Sequence, residues 1–233
     1  MCIRDRVKAV PRIGRIPSSS ESRERGGAGL GCVVLLRRRA AASNGHGYNR
    51  PMLIPIREED GLLLDIRYAT TDNLTGRPIY ARPVALLLPE ARERLLRANA
   101  LALALGLRIK VFDAFRPVEA QWALWHAVED KRFVSDPRQG GVHPRGAAVD
   151  LTLVEAASGT ELPMGTGFDA VEEASAHGSL AIPAEDQRNR AILLGIMTAA
   201  GWDHYSLEWW HYQLFGARRH PALCASAVPA GPM

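Results

Sequence analysis

Hydrophobic residues recur with helical spacing in one long stretch of the chain. Between Leu88 and Leu105, leucines alternate with alanines and arginines at intervals that place them on one face of a helix. Pro89 stands where the first turn of a helix tolerates proline, and Gly106 follows as a residue that can close a helix. The pattern therefore predicts a helix over 88–105.

Shorter apolar runs predict strands and two further helices. The strands are expected at 52–56, 61–68, 107–112 and 149–153 and near 211, and the helices at 117–129 and 186–200. Asp186 is expected to cap the second of these helices. Repeated strand–helix–strand units with phosphate-binding glycine loops are missing from the pattern. The sequence therefore predicts an α+β fold, an antiparallel sheet with helices packed against it.

Candidate chemistry is concentrated in residues 141–150, which read Gly-Val-His-Pro-Arg-Gly-Ala-Ala-Val-Asp. Because side chains alternate along a strand, Val149 and Leu151 share one face and Asp150 points to the other. His143 lies on the loop that leads into this strand, and Gly146 allows two backbone segments to approach closely. An imidazole and a carboxylate on rigid elements are two potential metal ligands.

A catalytic zinc site has a third protein ligand and keeps a fourth position open for water. The downstream run Glu208-Trp-Trp-His211 is rich in aromatic residues, which favours a strand. Positions three apart face opposite sides of a regular strand, so both side chains cannot reach one metal from it. We therefore place His211 in the strand and Glu208 on the loop before it, close to the metal without being a ligand.

Taken together, these residues resemble the zinc D-alanyl-D-alanine dipeptidases, the VanX-like branch of the D-Ala-D-Ala metallopeptidases. The family motif S-x-H-x-x-G-x-A-x-D matches residues 141–150 except at its serine, which is Gly141 here, and E-x-x-H matches 208–211. Three further blocks are similar in the same order, namely 67–76, 112–117 and 164–169. The resemblance covers roughly residues 52 to 216.

The resemblance implies a hedgehog-like fold with a zinc site on the sheet and one zinc ion per chain. It assigns zinc binding to His143, Asp150 and His211, and it assigns proton transfer to Glu208. The implied reaction is zinc-dependent hydrolysis of D-alanyl-D-alanine to two D-Ala, in the metabolism of cell-wall peptides. The missing serine hydroxyl at Gly141 affects the expected substrate specificity more than the expected chemistry.

Three further residues gain a role from the resemblance. Pro117 keeps Arg116 out of helical dihedral angles, and the family's F/Y-R-P block implies that Arg116 stabilises an oxyanion. Tyr68 and Asp169 are implied to contact the substrate, with Asp169 beside its free ammonium group. By itself, each residue also fits an ordinary role: a paired surface arginine, a half-buried tyrosine and a solvated loop acid.

The sequence is also compatible with two alternatives. One is a cell-wall D,D- or L,D-carboxypeptidase or an endolysin-type peptidase, which needs an open cleft. The other is a non-catalytic zinc-binding module with a hedgehog-like fold, against which Glu208 and Arg116 argue, because a structural zinc is usually closed by four protein ligands. His204 is the one rival to the predicted ligands.

Charge is unevenly distributed along the chain. Residues 1–50 hold 11 basic and 3 acidic residues, a net charge of +8, whereas the remainder holds 18 against 22, a net charge of −4. The basic excess belongs to the N-terminal stretch, so the rest of the chain gives no reason to expect nucleic-acid binding. The three cysteines form no disulfide framework, which favours a reducing compartment.

Composition also predicts the domain boundaries. We expect residues 1–50 to be a disordered or spurious extension, 51–220 to be the zinc dipeptidase domain, and 221–233 to be a flexible end. The apolar run at 26–36 is too short to span a bilayer, and the arginines that follow it stand on the wrong side for a secretory signal. A cytoplasmic location is therefore predicted, with a periplasmic one as the alternative. The sequence carries no signal for an oligomeric state.

Overall fold

A five-stranded sheet lies at the centre of the fold in the computed structural model, which describes residues 52–233. The strands of the molecule are β1 (Ile54–Pro55), β2 (Leu63–Leu64), β3 (Leu86–Leu87), β4 (Leu107–Asp113), β5 (Ala148–Glu155), β6 (Trp202–His204) and β7 (His211–Leu214). The helices are α1 (Pro89–Leu103), α2 (Val118–Ala127) and α3 (Ala184–Ala199). The large sheet has the order β2-β4-β5-β7-β6, and β1 pairs with β3 in a separate two-stranded sheet.

Strand β5 is the buried middle of the sheet. The predicted alternation is confirmed, since Val149, Leu151 and Leu153 are fully buried members of the hydrophobic core. Asp150 and Thr152 are each 1% exposed on the other face, so that face is covered as well. Polar groups on β5 therefore lie in the interior, where they need partners.

The mixed α+β architecture is confirmed, but the sheet is not wholly antiparallel. Strands β4, β5, β7 and β6 are antiparallel neighbours, whereas β2 pairs with β4 in parallel. Parallel neighbours need a crossover connection, which a hairpin cannot provide. Helix α1 lies in that connection and packs against β4.

The predicted helices are present with shifted ends. Helix α1 covers Pro89–Leu103 instead of 88–105, with Pro89 in its first turn as expected, and α2 follows Pro117 but stops at Ala127. Helix α3 begins at Ala184, so Pro183 occupies the N-cap position and the predicted capping role of Asp186 is wrong. Asp186 instead lies in the first turn, where a carboxylate interacts favourably with the helix dipole.

The strand predicted at 61–68 is much shorter in the structure. Only Leu63–Leu64 pair with β4, and Arg67–Ala69 form a short 3-10 turn. Tyr68 lies in this turn and is 1% exposed. The turn therefore directs the Tyr68 ring into the interior.

The C-terminal residues make backbone hydrogen bonds to the rest of the domain. The Leu223 N–H donates to the Pro144 carbonyl at 2.7 Å, and the Ala81 N–H donates to the Pro232 carbonyl at 2.9 Å. The predicted extension 1–50 lies outside the described residues, and the proposed boundary at 220 stays a prediction. Across residues 52–233, none of the helices has the length and apolar character needed to cross a bilayer.

Leu95 offers a test of the core. Its side chain on α1 is fully buried, so Leu95→Ala should lower the free energy of unfolding by about 2–5 kcal/mol through lost burial and a residual cavity. Leu180, which is 86% exposed, supplies the matched control: Leu180→Ala should stay within about 0.5 kcal/mol of the wild type. Denaturant unfolding of the three proteins measures both values, and equal stabilities would contradict this description of α1.

Candidate active site

Three elements bring the predicted metal ligands together. His143 lies in a short 3-10 turn directly before β5, Asp150 lies within β5, and His211 is the first residue of β7. Asp150 and His211 are directly opposite each other in the antiparallel register of β5 and β7. Gly146 ends the turn at a φ of 64°, a backbone conformation that favours glycine, and a Cβ there would crowd the Leu53 side chain.

The three ligand atoms form a compact triangle. His143 Nε2 lies 3.2 Å from His211 Nδ1, and Asp150 Oδ1 lies 3.3 Å from the first and 3.0 Å from the second. Ligands about 2.0–2.1 Å from a tetrahedral metal are separated from each other by about 3.3 Å. All three residues are buried, and their spacing therefore fits a single metal ion.

Each ligand has an outer partner that fixes its orientation. His143 Nδ1 donates to the Ala114 carbonyl at 2.7 Å, which leaves the Nε2 lone pair facing the centre. His211 Nε2 lies 3.5 Å from Gln213 Oε1 on the far side of its ring. Burial favours a higher pKa for Asp150, but the two histidines outweigh it and hold that pKa well below its usual range. Asp150 is therefore ionised, as a metal-binding carboxylate must be.

Arg116 lies beside the triangle as a buried cation. Its Nη2 donates to Asp150 Oδ2 at 3.1 Å and its Nε donates to Asp113 Oδ2 at 2.8 Å. The Arg116 guanidinium also stacks over the Tyr68 ring at 4.8 Å. The bonds to Asp113 and Asp150 and a contact with Gln121 each use an N–H, on Nε, Nη2 and Nη1 respectively. Each Nη atom therefore retains a second N–H that can donate to another group.

Sequence reasoning missed Asp113 and Tyr80, which hold Arg116 in place. Asp113 is 1% exposed and accepts a hydrogen bond from the Tyr80 hydroxyl at 2.8 Å through the oxygen that does not bind Arg116. The signal that could have found Asp113 is its position three residues before Arg116 in the same motif block. No local pattern points to Tyr80, because its contact spans 33 positions of the chain.

Glu208 lies on the loop that leads into β7, as predicted. The His211 N–H donates to the Glu208 carbonyl at 3.3 Å, so a turn separates the two side chains. Burial raises the pKa of Glu208 to about 8. A carboxyl group with such a pKa can both accept and release a proton near neutral pH.

Asp169 occupies an unusual backbone conformation at another wall of the site. Its φ of 61° is positive, which is rare for a residue other than glycine. Its carboxyl accepts hydrogen bonds from the Tyr68 hydroxyl at 3.0 Å and from the Leu74 N–H at 3.5 Å. Burial raises the pKa of Asp169 to about 7.

One cavity of about 650 Å³ connects all the predicted site residues. Its lining includes His143, Asp150, His211, Glu208, Arg116, Tyr68 and Asp169. The rival ligand His204 lies apart from the triangle and packs its ring against His177 at 5.1 Å. Gly141 also lines the cavity, and a Cβ added there would lie 3.3 Å from Ser135 Cβ, so the neighbouring serine occupies part of that space.

The site combines a buried triangle of two imidazoles and a carboxylate with a cavity, a carboxyl group and a guanidinium beside it. This is the arrangement of a metallopeptidase active site. Comparison with known proteins identifies the family. A family model described as D-Ala-D-Ala dipeptidase matches residues 59–225, and the chain therefore belongs to this family.

Individual relatives agree with the family assignment. The chain is 40% identical to the D-alanyl-D-alanine dipeptidase of Escherichia coli (strain K12) over 162 residues, which cover 70% of this chain and 83% of the relative. It is 36% identical to the D-alanyl-D-alanine dipeptidase of Enterococcus faecium and 32% identical to that of Streptomyces coelicolor, each match covering 66% of this chain and 86% of the relative. The resemblance stated from the motifs is thereby confirmed.

The ligand triangle predicts one metal ion per chain. His143→Ala and His211→Ala should each lower the metal content strongly, because each substitution removes one of three donors. His126→Ala is the matched control, since His126 is exposed and stacks on Trp122. Elemental analysis of the purified proteins measures the metal-to-protein ratio, and full metal content in both site variants would overturn this ligand set.

Proposed function

We propose that this chain hydrolyses D-alanyl-D-alanine to two molecules of D-alanine, in the metabolism of cell-wall peptides, with one zinc ion held on the sheet by His143, Asp150 and His211. The observation that carries the proposal is the triangle of ligand atoms with edges of 3.0–3.3 Å. Two imidazoles and one carboxylate form a donor set that suits zinc. When bound, zinc polarises a carbonyl group and makes water a stronger nucleophile.

Glu208 is proposed to move the proton. Its raised pKa and its position on the loop beside His211 suit a carboxylate that takes a proton from the attacking water and gives it to the leaving amine. The loop placement also supports a role other than ligation, because the Glu208 carboxyl is not part of the triangle.

Arg116 is proposed to stabilise the negative charge that develops on the substrate carbonyl oxygen. Asp113 and Asp150 fix the guanidinium on two sides, which leaves its remaining N–H donors oriented in advance. Donors that are fixed before the reaction need no reorganisation during it, and they are most effective where water is excluded. Arg116 is 8% exposed, which meets that condition.

Asp169 and Tyr68 are proposed to recognise the free ammonium group of the dipeptide. A carboxylate that is ionised in a buried pocket favours a cationic partner and disfavours an acylated, neutral one. The hydrogen bond from the Tyr68 hydroxyl holds Asp169 in position. A pocket of this kind favours a dipeptidase over a carboxypeptidase, whose substrates continue on the amino side of the scissile bond.

The proposal is tested by an isosteric change at Glu208. Wild-type protein should cleave D-Ala-D-Ala and not the L,L isomer. Glu208→Gln should retain zinc and fold while losing roughly 10²–10⁴ in kcat, because the amide cannot accept the proton. Measurements of kcat, zinc content and the circular dichroism spectrum decide the outcome. Loss of zinc in this variant would make Glu208 a ligand, and equal turnover would remove it from the mechanism.

A second prediction concerns pH and isolates Asp169. The ratio of kcat/KM for free D-Ala-D-Ala to that for N-acetyl-D-Ala-D-Ala cancels effects that both substrates share, including the titration of Glu208. Because the pKa of Asp169 is raised to about 7, its carboxylate becomes protonated as pH falls through that value. The ratio of the two kcat/KM values should therefore decrease as pH falls. The positive charge of a bound zinc ion moves the midpoint downward.

The matched variant for this measurement is Asp169→Asn. Its ratio should be low and independent of pH below about 6.7, roughly one unit under the pKa of about 7.7 at which the amino group of the dipeptide is half deprotonated. A pH-dependent ratio that persists in Asp169→Asn would show that another group recognises the ammonium. Equal efficiencies for the free and acetylated substrates in the wild type would favour the carboxypeptidase alternative.

A further inference from the structure

Arg190 is a buried cation that binds carbonyl groups instead of a carboxylate. The Arg190 side chain on α3 is 3% exposed, and no ion pair within residues 52–233 includes it. Its Nε donates to the Met164 carbonyl at 2.6 Å, and its Nη1 donates to the Ala174 and Ala176 carbonyls at 2.8 and 3.0 Å. A buried charge without an ionic partner is costly unless its donors are satisfied, and here the backbone of one segment satisfies them.

That segment is 164–176, and it carries Asp169. The Met164 carbonyl lies at its start, and the Ala174 and Ala176 carbonyls lie at its end. The guanidinium therefore ties the two ends of the segment together. The rigid fork of arginine suits this task, whereas the single ammonium group of lysine does not reproduce its geometry.

A chain of hydrogen bonds extends from Arg190 to the residue after Asp169. Arg190 Nη2 donates to Thr166 Oγ1 at 3.2 Å, and Thr166 Oγ1 lies 3.0 Å from Ser175 Oγ. Ser175 is fully buried, and its hydroxyl donates to the Ala170 carbonyl at 2.7 Å. The Thr166 hydroxyl therefore accepts from Arg190 and donates to Ser175, and the Ser175 hydroxyl accepts from Thr166 and donates to Ala170.

The same hydroxyls connect this segment to the loop that carries Glu208. The Trp209 indole Nε1 donates to Thr166 Oγ1 at 2.9 Å, and the Trp209 backbone N–H donates to the Ser175 carbonyl at 3.0 Å. Trp209 directly follows Glu208 in the chain, and its ring lies 5.7 Å from the Arg190 guanidinium. One network therefore holds the walls of the cavity on which Asp169 and Glu208 lie.

Asp169 needs such support because its backbone is strained. A φ of 61° is disfavoured for a residue with a Cβ and persists only where the surrounding structure enforces it. The adjacent Ala170 carbonyl is held by Ser175, and Gly165, Gly167 and the intervening Thr166 give the preceding stretch little rigidity of its own. Tyr68 and Leu74 bind the Asp169 side chain, and Ser175 adds support to the backbone on the side of α3.

We propose that Arg190 is a positioning residue for substrate specificity: through Thr166 and Ser175 it holds Asp169 where the carboxylate meets the ammonium group of the dipeptide. This inference rests on the proposed function. Arg190 does not touch the substrate. Its loss should therefore impair recognition of the amino end more than the chemical step at the scissile bond.

The test uses two variants. Arg190→Lys keeps the positive charge but removes the branched guanidinium, and Thr166→Val keeps the shape of the side chain but removes its hydroxyl. Both full-length, zinc-loaded variants should show a KM for free D-Ala-D-Ala raised by roughly tenfold with a smaller change in kcat, as expected for a misplaced binding group. Their preference for free over N-acetylated dipeptide should fall towards the value of Asp169→Asn. Arg188→Lys is the matched control, because Arg188 is exposed on the same helix, and it should behave like the wild type.

A double substitution separates positioning from a general loss of stability. If Arg190 acts through Asp169, adding Arg190→Lys to Asp169→Asn should not lower the free-to-acetylated preference further, since interacting residues are not additive. Unchanged preference in both Arg190→Lys and Thr166→Val, with only a lowered melting temperature, would overturn the inference. If Asp169→Asn itself leaves the preference unchanged, the proposed ammonium site fails, and the role of Arg190 fails with it.

Discussion

The antiparallel pairing of β5 with β7 is the constraint on which the site depends. It sets Asp150 directly opposite His211, although 61 positions of sequence separate them. A slip of one residue in this register would turn one of the two side chains to the opposite face of the sheet. The alternation of Val149, Leu151 and Leu153 prevents such a slip, because it would move these side chains out of the hydrophobic core and onto the face that carries Asp150. Hydrophobic burial thus fixes the geometry of the proposed metal ligands.

Charge balance is the second requirement of the same site. Asp113 and Asp150 are both almost completely buried, and Arg116 bridges them with one hydrogen bond to each. Burial lowers the pKa of Arg116, but Tyr68, Asp113 and Asp150 outweigh it and hold that pKa above its usual value. Removing either partner would leave an uncompensated buried charge, which is costlier than the pair itself. Arg116 therefore combines a structural task with its proposed catalytic one.

Sequence patterns predicted the parts of this structure whose causes are local. The spacing of leucines and the placement of Pro89 located α1, and the alternation around Asp150 located β5. The loop position of Glu208 followed from the two-residue period of a strand. Family motifs added Arg116, Tyr68 and Asp169, which no periodicity distinguishes from ordinary surface or core residues.

The features that sequence reasoning missed depend on contacts between distant segments. The parallel pairing of β2 with β4 involves two residues of β2, too few to give a periodic signal. Tyr80 reaches Asp113 across 33 positions, and Arg190 reaches Met164 across 26. Asp186 was misplaced because a proline at the N-cap position began α3 earlier than the carboxylate suggested. Contacts between distant segments therefore account for β2, Tyr80 and Arg190, whereas the start of α3 has a local cause in Pro183.

The site also concentrates groups that weaken the fold. The pKa values of Asp169 and Glu208 are about 7 and about 8 in the folded protein, above the usual range of a carboxyl group. A folded-state pKa above the unfolded value means that the native state binds more protons between the two values, so each group lowers stability as pH rises through that interval. This loss of stability is absent at pH values below the pKa of the unfolded state and reaches its full size above the pKa of the folded state. Two buried carboxyl groups that lower stability as pH rises fit the proposed function, in which a metal ion and a substrate ammonium supply positive charge, better than they fit a role in folding.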